Sequence, residues 1–267
     1  MDLISVAVIT YNSSETVIET LESIKQQTYP LLELVVSDDC SNDDTMAKVK
    51  EWADLNKKRF HSIRLTERKK NVGVVINCNK GIRKCNGKYV QIIAGDDLLP
   101  ACAIEEKYRF AEKNRLQIVI TMVKPFGKNK IRTQMMKQHY EASYRLLDEN
   151  RREQLRKNLS ANYIIGPMYS FYRKDFWIKM GGYDQRYPMD EDWPFTIKLL
   201  QTDVPLILLE KELYEYRVSS TSLSNSTNNA VLRESNKKLI FNVNIWLLLK
   251  NGWFKDAFLL LAALYHK

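Results

Sequence analysis

Three short apolar runs with helical spacing between them constrain the fold most. Ile4–Ile9 (ISVAVI) is an apolar, β-branched run that reads as a strand buried on both faces, and Leu32–Ser37 (LELVVS) and Tyr89–Ile93 (YVQII) read as further strands. Asn12 or Ser13 is expected to cap a helix through Ile24, with Glu15 near its positive end, and Tyr29-Pro30 stops it. Ser41-Asn42-Asp43-Asp44 opens a second helix carrying Met46, Val49 and Trp52, Ser62–Leu65 is a brief strand, and Asn77–Lys84 is a third helix. Repeated βαβ units imply a mostly parallel sheet with helices on both sides, joined by right-handed crossovers. Ligands of such sheets sit at the carboxyl ends of the strands.

The middle of the chain departs from this pattern. Lys124–Lys157 holds 10 Lys/Arg against 4 Asp/Glu, with no clean strand pattern after Thr121 and a helix expected from about Glu141 to Asn158. A hydrophobic loop (Tyr163–Tyr172), a Gly181-Gly182 turn and an acidic cluster at Asp190-Glu191-Asp192 follow, and two apolar helical stretches lie around Ile245–Leu249 and Trp253–Tyr265. The expected division is a catalytic domain over 1–225 and a helical tail over 226–267. With 45% hydrophobic residues the 267-residue chain can form a large core, which excludes disorder as its main theme.

The formal charge of +9 points to an anionic partner without naming it. Cys40, Cys78, Cys85 and Cys102 contain no CxxC pair, which argues against a zinc knuckle and suits small buried thiols. Met1–Ser5 runs into the first strand without a basic, then apolar, leader, so a reduced, cytoplasmic chain is expected. His61, His139 and His266 are scattered, and neither GxGxxG nor GxxxxGK[ST] occurs.

The position of the carboxylates carries more information than their number. Asp38-Asp39 directly follows the second strand and Asp96-Asp97 follows the fourth, so both pairs fall at one edge of the sheet. Adjacent like charges are costly unless a cation or hydrogen-bond donors compensate. A hard divalent cation shared with substrate phosphates would do so, and a turn with solvated acids is the competing reading.

At this point the ordered motifs resemble a known family. Val8-Ile9-Thr10-Tyr11-Asn12, Asp38–Asp43, Asn71-Val72-Gly73, Asn79-Lys80-Gly81, Gly87-Lys88-Tyr89 and Gly95-Asp96-Asp97 resemble the opening of family-2 glycosyltransferases of the GT-A fold. Gly181-Gly182-Tyr183-Asp184, Glu191-Asp192-Trp193, and Tyr216-Arg217 with Ser219 to Ser224 resemble its later segments. The resemblance implies an α/β, Rossmann-like GT-A fold with a C-terminal helical appendage. It also implies an inverting transferase that uses a nucleoside-diphosphate sugar, with UDP-sugar first among the donors, and Mn2+ or Mg2+ as cofactor.

Carried over by position, Thr10 and Tyr11 would line the nucleotide pocket and Asp38 would bond the base with Asp39 nearby. Asp96 would face the ribose or metal, Asp97 would hold the metal on the diphosphate, and Asp192 would be the general base. Arg217 is a candidate for the diphosphate. Two departures qualify the match: Ala94 stands where many relatives have an acid, and Ser219 where many have a histidine. No Gln-x-x-Arg-Trp motif of processive synthases occurs, so one sugar is expected per encounter.

Asp190 and Glu191 read as surface or helix-start acids, and Trp193 as a packing residue rather than a sugar platform. Ala257–Tyr265 is apolar for nine residues, fewer than the roughly 18 that span a bilayer. Lys250, Lys255 and Lys267 flank Trp246, Trp253 and leucine-rich faces, so the tail is weighed between an anionic membrane surface, a dimer partner and the catalytic domain. The expected acceptor is a cell-surface glycan precursor or lipid-linked glycan, as in polysaccharide biosynthesis for the cell envelope. The competing classes are a sugar nucleotidyltransferase, a basic nucleic-acid-binding module, and a non-catalytic nucleotide-sugar binder. The first would normally show a Gly-rich, Arg/Lys-bearing loop after the first strand, where Thr10-Tyr11-Asn12-Ser13 stands.

Overall fold

Strand β1 (Ile4–Thr10) pairs in parallel with β2 (Leu32–Asp38) on one side and β4 (Tyr89–Ala94) on the other, and β2 pairs in parallel with β3 (Ser62–Glu67). Beyond β4, a short antiparallel strand β6 (Phe171–Arg173) joins β5 (Ile118–Phe126), whose outer neighbour β7 (Leu208–Arg217) runs parallel to it. The result is a seven-stranded sheet in the order β3-β2-β1-β4-β6-β5-β7. The computed structural model describes residues 1–162, 171–219 and 230–265. Most of the expected Tyr163–Tyr172 loop, the serines after Ser219, and His266 and Lys267 therefore lie outside the described residues.

Every residue of β1 and β2 is buried, and their alternation feeds two cores. Val6, Val8, Leu34 and Val36 face α1 (Val17–Lys25), α2 (Thr45–Asn56) and α4 (Ala103–Asn114), where Leu21, Ile24, Val49, Trp52 and Ile104 cover them. Ala7, Ile9 and Val35 face Val75, Cys78 and Ile82 of α3 (Val74–Lys84), with Trp177 of α7 (Lys174–Lys179) and Phe195 of α8 (Asp192–Leu200) completing that side. Each fully buried Val, Leu or Ile contributes about 1.5–3 kcal/mol, so the three parallel strands are the stable frame of the site. Their register pairs Thr10 with Asp38 and Ile9 with Ala94, which brings the three carboxyl ends level.

Four local expectations are corrected. Helix α1 begins at Val17 rather than after Asn12 or Ser13, because Asn12 adopts φ +51° and its Oδ1 accepts from the Asn42 backbone at 2.9 Å. Strand β5 runs past Thr121 to Phe126, opposite β7, which was not legible as a strand. The expected 141–158 helix is two helices, α5 (Lys130–Arg145) and α6 (Arg151–Ser160), because Asn150 leaves helical geometry and caps α6 by accepting from Glu153 N at 3.0 Å. Of the cysteines only Cys78 and Cys85 are buried; Cys40 is half-buried, Cys102 is exposed, and all four are free.

The tail forms α9 (Ala230–Leu239), a π-turn over Ile240–Asn244, α10 (Ile245–Lys250) and α11 (Phe254–Tyr265). Its inner face, including Leu239, Leu247, Leu248 and Ala257, packs on Leu159 of α6 and on Trp193 and Ile197 of α8. Arg156 reaches both oxygens of Asp256, at 3.1 and 3.0 Å. No described helix is long and apolar enough to cross a membrane.

Candidate active site

The level strand ends gather the two acid pairs. Gly95 follows β4 at a point where a side chain could not fit, since an added Cβ would lie 2.8 Å from Thr10 Cγ2. This close approach seats Asp96-Asp97 against the end of β1, where Gly95 N donates to Ile9 O at 2.9 Å. Asp39 N likewise donates to Thr10 O at 3.0 Å.

The four acids differ sharply in what they have left to offer. Asp38 is 1% exposed. Its Oδ1 accepts from Thr10 Oγ1 at 2.8 Å and Ser41 Oγ at 2.5 Å, and its Oδ2 from Ser41 N at 2.8 Å. Thr10 and Asp38 thus tie the strand ends together and have little capacity for a ligand. Asp39 instead accepts one backbone donor on each oxygen, Val72 N at 3.0 Å and Gly73 N at 2.8 Å. The positive φ of Gly73 (+89°) turns its amide towards the carboxylate. Arg68 Nε lies 3.8 Å from Asp39 Oδ1 and is buried without a hydrogen-bond partner. Tyr11 is 45% exposed, leaving its ring open at the mouth of this edge.

Asp97 is also occupied. Its Oδ2 accepts from Tyr214 Oη at 2.6 Å and its Oδ1 from Arg217 N at 2.8 Å. Burial, followed by the charge of Asp96, pushes its pKa well above the usual carboxylate range. Asp96 is half-buried, and no other described residue donates to its carboxylate. Burial raises its pKa and the Arg217 guanidinium opposes that rise. Arg217 is itself anchored: Nε donates to Asp96 O at 2.6 Å, Nη2 to Glu19 Oε2 at 2.5 Å, and the guanidinium stacks 4.6 Å over Phe126. Among the described residues no group of three or more His, Cys, Asp or Glu side chains gathers to hold a metal. A divalent cation that keeps its waters and uses one carboxylate plus phosphate oxygens needs less, and Asp96 has the free valence for it.

The other acidic cluster approaches the same edge: the Pro188 carbonyl lies 3.3 Å from where a Cβ on Gly73 would sit. Asp192 opens α8, where its Oδ1 accepts from Trp193 N at 2.7 Å. Burial raises its pKa, while the Trp193 amide, the Asn162 side chain and the charge of His139 lower it. Asp190 and Glu191 stand at the start of α8, one of the two placements expected, and neither is exposed. Asp190 is 5% exposed and pushed up to about 6, first by burial and then by Asp192. Glu191 is half-buried, and burial and then Asp192 raise it as well. Trp193 is a packing residue, with its indole N–H donating to Asn158 O at 2.7 Å.

The structure therefore joins Thr10, Asp38, Asp39, Asp96, Asp97 and Arg217 at one edge and brings the Asp192 loop beside it. Sequence reasoning missed Arg68, Tyr214, Asn162 and His139. Only Tyr214 had a local signal, the alternation in Leu213-Tyr214-Glu215-Tyr216-Arg217.

Residues 5–178, more than half of the chain, match the family described as Glycosyl transferase family 2. An Escherichia coli UDP-Glc:α-D-GlcNAc-diphosphoundecaprenol β-1,3-glucosyltransferase is 28% identical over 116 residues, covering 43% of this chain and 44% of that one. The chain spans 33% of the length of one glycosyltransferase relative it matches and 71% of another. In structure, Staphylococcus aureus TarS 1-349 in complex with UDP-GlcNAc superimposes with a TM-score of 0.66 at 20% identity, over 91% of this chain and 66% of that chain. A Pyrobaculum calidifontis mannosyltransferase in complex with GDP-Man and Mn2+ gives 0.61 at 18% identity, over 98% of this chain and 74% of that chain. The fold is that of the GT-A glycosyltransferases, and the chain belongs to glycosyl transferase family 2.

Proposed function

We propose that the protein is an inverting glycosyltransferase that moves a sugar from a nucleoside-diphosphate sugar, UDP-linked in the first instance, to a hydroxyl of a glycan or lipid-linked glycan. The observation that carries this reading is the unequal use of the acids. Asp38 holds three internal donors and Asp39, Asp97 and Asp192 at least two each, whereas Asp96 takes none from another described residue. The base-reading role passes from Asp38 to Asp39 with Arg68, and Tyr11 offers its exposed ring to the base. The metal role falls to Asp96, with Asp97 as its buried support. A divalent cation held by Asp96 would neutralise charge on the departing diphosphate. The UDP-sugar and lipid-linked substrates in the relatives' names, and the Mn2+ of the mannosyltransferase, support the donor, acceptor and metal assignments.

A sugar hydroxyl is a poor nucleophile, so Asp192 takes its proton as the oxygen bonds to the anomeric carbon. The bond from that carbon to the diphosphate oxygen breaks in the same step, its electron pair leaves with the diphosphate, and one displacement inverts the centre. Burial raises the affinity of Asp192 for that proton, which suits a base. On this reading residues 1–225 form the transferase body and 226–267 its appendage.

The outer face of the appendage exposes Phe241, Trp246, Leu249, Phe254 and Phe258, with Lys250 4.8 Å over the Trp246 ring. That mixture supports peripheral contact with an anionic membrane on its cytoplasmic side. The deciding experiment is a transfer and hydrolysis screen of UDP-, GDP- and dTDP-sugars with Mn2+ or Mg2+. Stabilisation by none of them in thermal unfolding, together with no turnover, would overturn the donor assignment.

A further inference from the structure

Two buried polar atoms without a hydrogen-bond partner border Asp192: His139 Nε2 and Asn162 Oδ1. Both residues are close enough to act on the Asp192 carboxylate, Asn162 through its side-chain amide and His139 through its charge. Buried polar atoms are nearly always paired, so two orphans around one carboxylate mark a place where a partner is missing.

Their supports are firm. His139 lies on α5, which Asn129 caps by accepting from Arg132 N at 3.1 Å. Tyr144 on the same helix accepts from Val123 N of β5 at 2.6 Å, and Tyr140 meets Tyr216 of β7 edge-on at 6.3 Å. Asn162 follows α6, whose Asn158 carbonyl accepts the Trp193 indole N–H. The residue next to Asp192 thus bonds the last turn of the helix that precedes Asn162. His139 is carried by a capped, packed helix, and Asn162 stands two residues past the end of α6, each with an unpartnered atom.

We propose that Asn162 and His139 form the acceptor-sugar subsite, holding the two hydroxyls that flank the attacking one on a pyranoside while Asp192 takes the central proton. Asn162 Oδ1 accepts from one neighbouring hydroxyl. His139 Nε2 serves the other in either tautomer, since a hydroxyl both donates and accepts. The chemical class selected is a sugar whose attacking hydroxyl has a free hydroxyl on each side. This rests on Asp192 being the base of a glycosyl transfer.

The test uses the full chain saturated with UDP and Mg2+, with methyl glycosides of glucose, galactose, mannose and N-acetylglucosamine as probes. The imidazole resonances of His139 are followed by NMR and assigned with His139→Gln. At least one glycoside is expected to move the His139 signals saturably. Asn162→Ala should weaken that glycoside by about tenfold, the worth of one hydrogen bond, with UDP affinity unchanged. A silent His139 at the solubility limit of every probe, or equal glycoside affinity in Asn162→Ala, overturns the subsite while leaving the transferase reading in place. Failure of UDP to bind at all overturns the transferase reading and the subsite with it.

Discussion

Tyr214 on β7 donates its hydroxyl proton to Asp97 Oδ2 at 2.6 Å, so the outermost strand of the sheet holds an acid that begins at the end of β4. Register shifts in the β5–β7 pairing, on either side of Met122, precede the stretch that delivers Tyr214 and Arg217. Replacing Tyr214 by Phe leaves a buried carboxylate oxygen one donor short. We predict a loss of about 1–3 kcal/mol in urea denaturation, with UDP affinity falling alongside because Asp96 loses its support. A Tyr214→Phe protein as stable as wild type would remove Asp97 from the list of structural acids.

Asp96 and Asp97 should separate in a metal titration. Asp96→Asn is expected to weaken Mn2+-dependent UDP binding by about tenfold or more while leaving thermal stability close to wild type, since its carboxylate makes few internal bonds. Asp97→Asn should do the opposite first, lowering stability. Calorimetric titration of UDP with and without Mn2+ decides this; equal metal dependence in wild type and Asp96→Asn counts against the assignment.

Asp192→Asn keeps the shape of the first turn of α8 and removes the proposed proton acceptor. Transfer should fall by about 10²–10⁴-fold with donor binding intact, measured as release of UDP in the presence of acceptor. Turnover at the wild-type rate would exclude Asp192 as the base.

Lys107 gives a pH signature unconnected with catalysis. It is fully buried, its Nζ donates to Gln91 Oε1 at 2.7 Å, and burial lowers its pKa to about 7. In the unfolded chain the same group keeps its proton up to roughly pH 10. Below about pH 7 both states are protonated and the burial cost is felt in full. Between those values the unfolded state binds more protons, so stability rises with pH, by at most about 1.4 kcal/mol per unit. Denaturation of wild type and Lys107→Met at pH 7, 8 and 9 should show the wild type gaining on the variant. A constant difference would contradict it.

The membrane proposal is tested by co-sedimentation with vesicles containing phosphatidylglycerol at low salt. Wild type should pellet, and Trp246→Glu with Phe258→Glu should remain in the supernatant with unchanged UDP binding. If both proteins stay in solution, the outer face of the tail has another occupant.

The frame of the site was legible because β1, β2 and β4 are apolar at most positions and buried at nearly all, and a strand covered on both faces leaves that pattern. Strand β7 was not, since Glu210, Lys211 and Glu212 face solvent and only Leu213 and Tyr214 are buried. The break between α5 and α6 depends on whether the Asn150 side chain caps or points away, which composition does not decide. Within the acid pairs, adjacency marked the place but not the division of labour. Which of Asp38 and Asp39 turns inward follows from Thr10 and Ser41 on one side and from the amides of Val72 and Gly73 on the other. His139 could not be found from the chain alone, because a lone histidine on a polar helix has no local pattern and its meaning comes from α8.

The packing of Trp193 into the tail's core has a mechanical consequence. The residue after Asp192 shares one apolar cluster with Leu239, Leu247 and Leu248, so the last helices act as a backstop behind the proposed proton acceptor. Cutting the chain after residue 229 is expected to be a lesion in catalysis before one in solubility: the carboxylate would remain, with the Asn158 carbonyl but no apolar tail to hold the ring behind it. Whatever presses on the outer side of those helices pushes, through one indole ring, on the proposed general base.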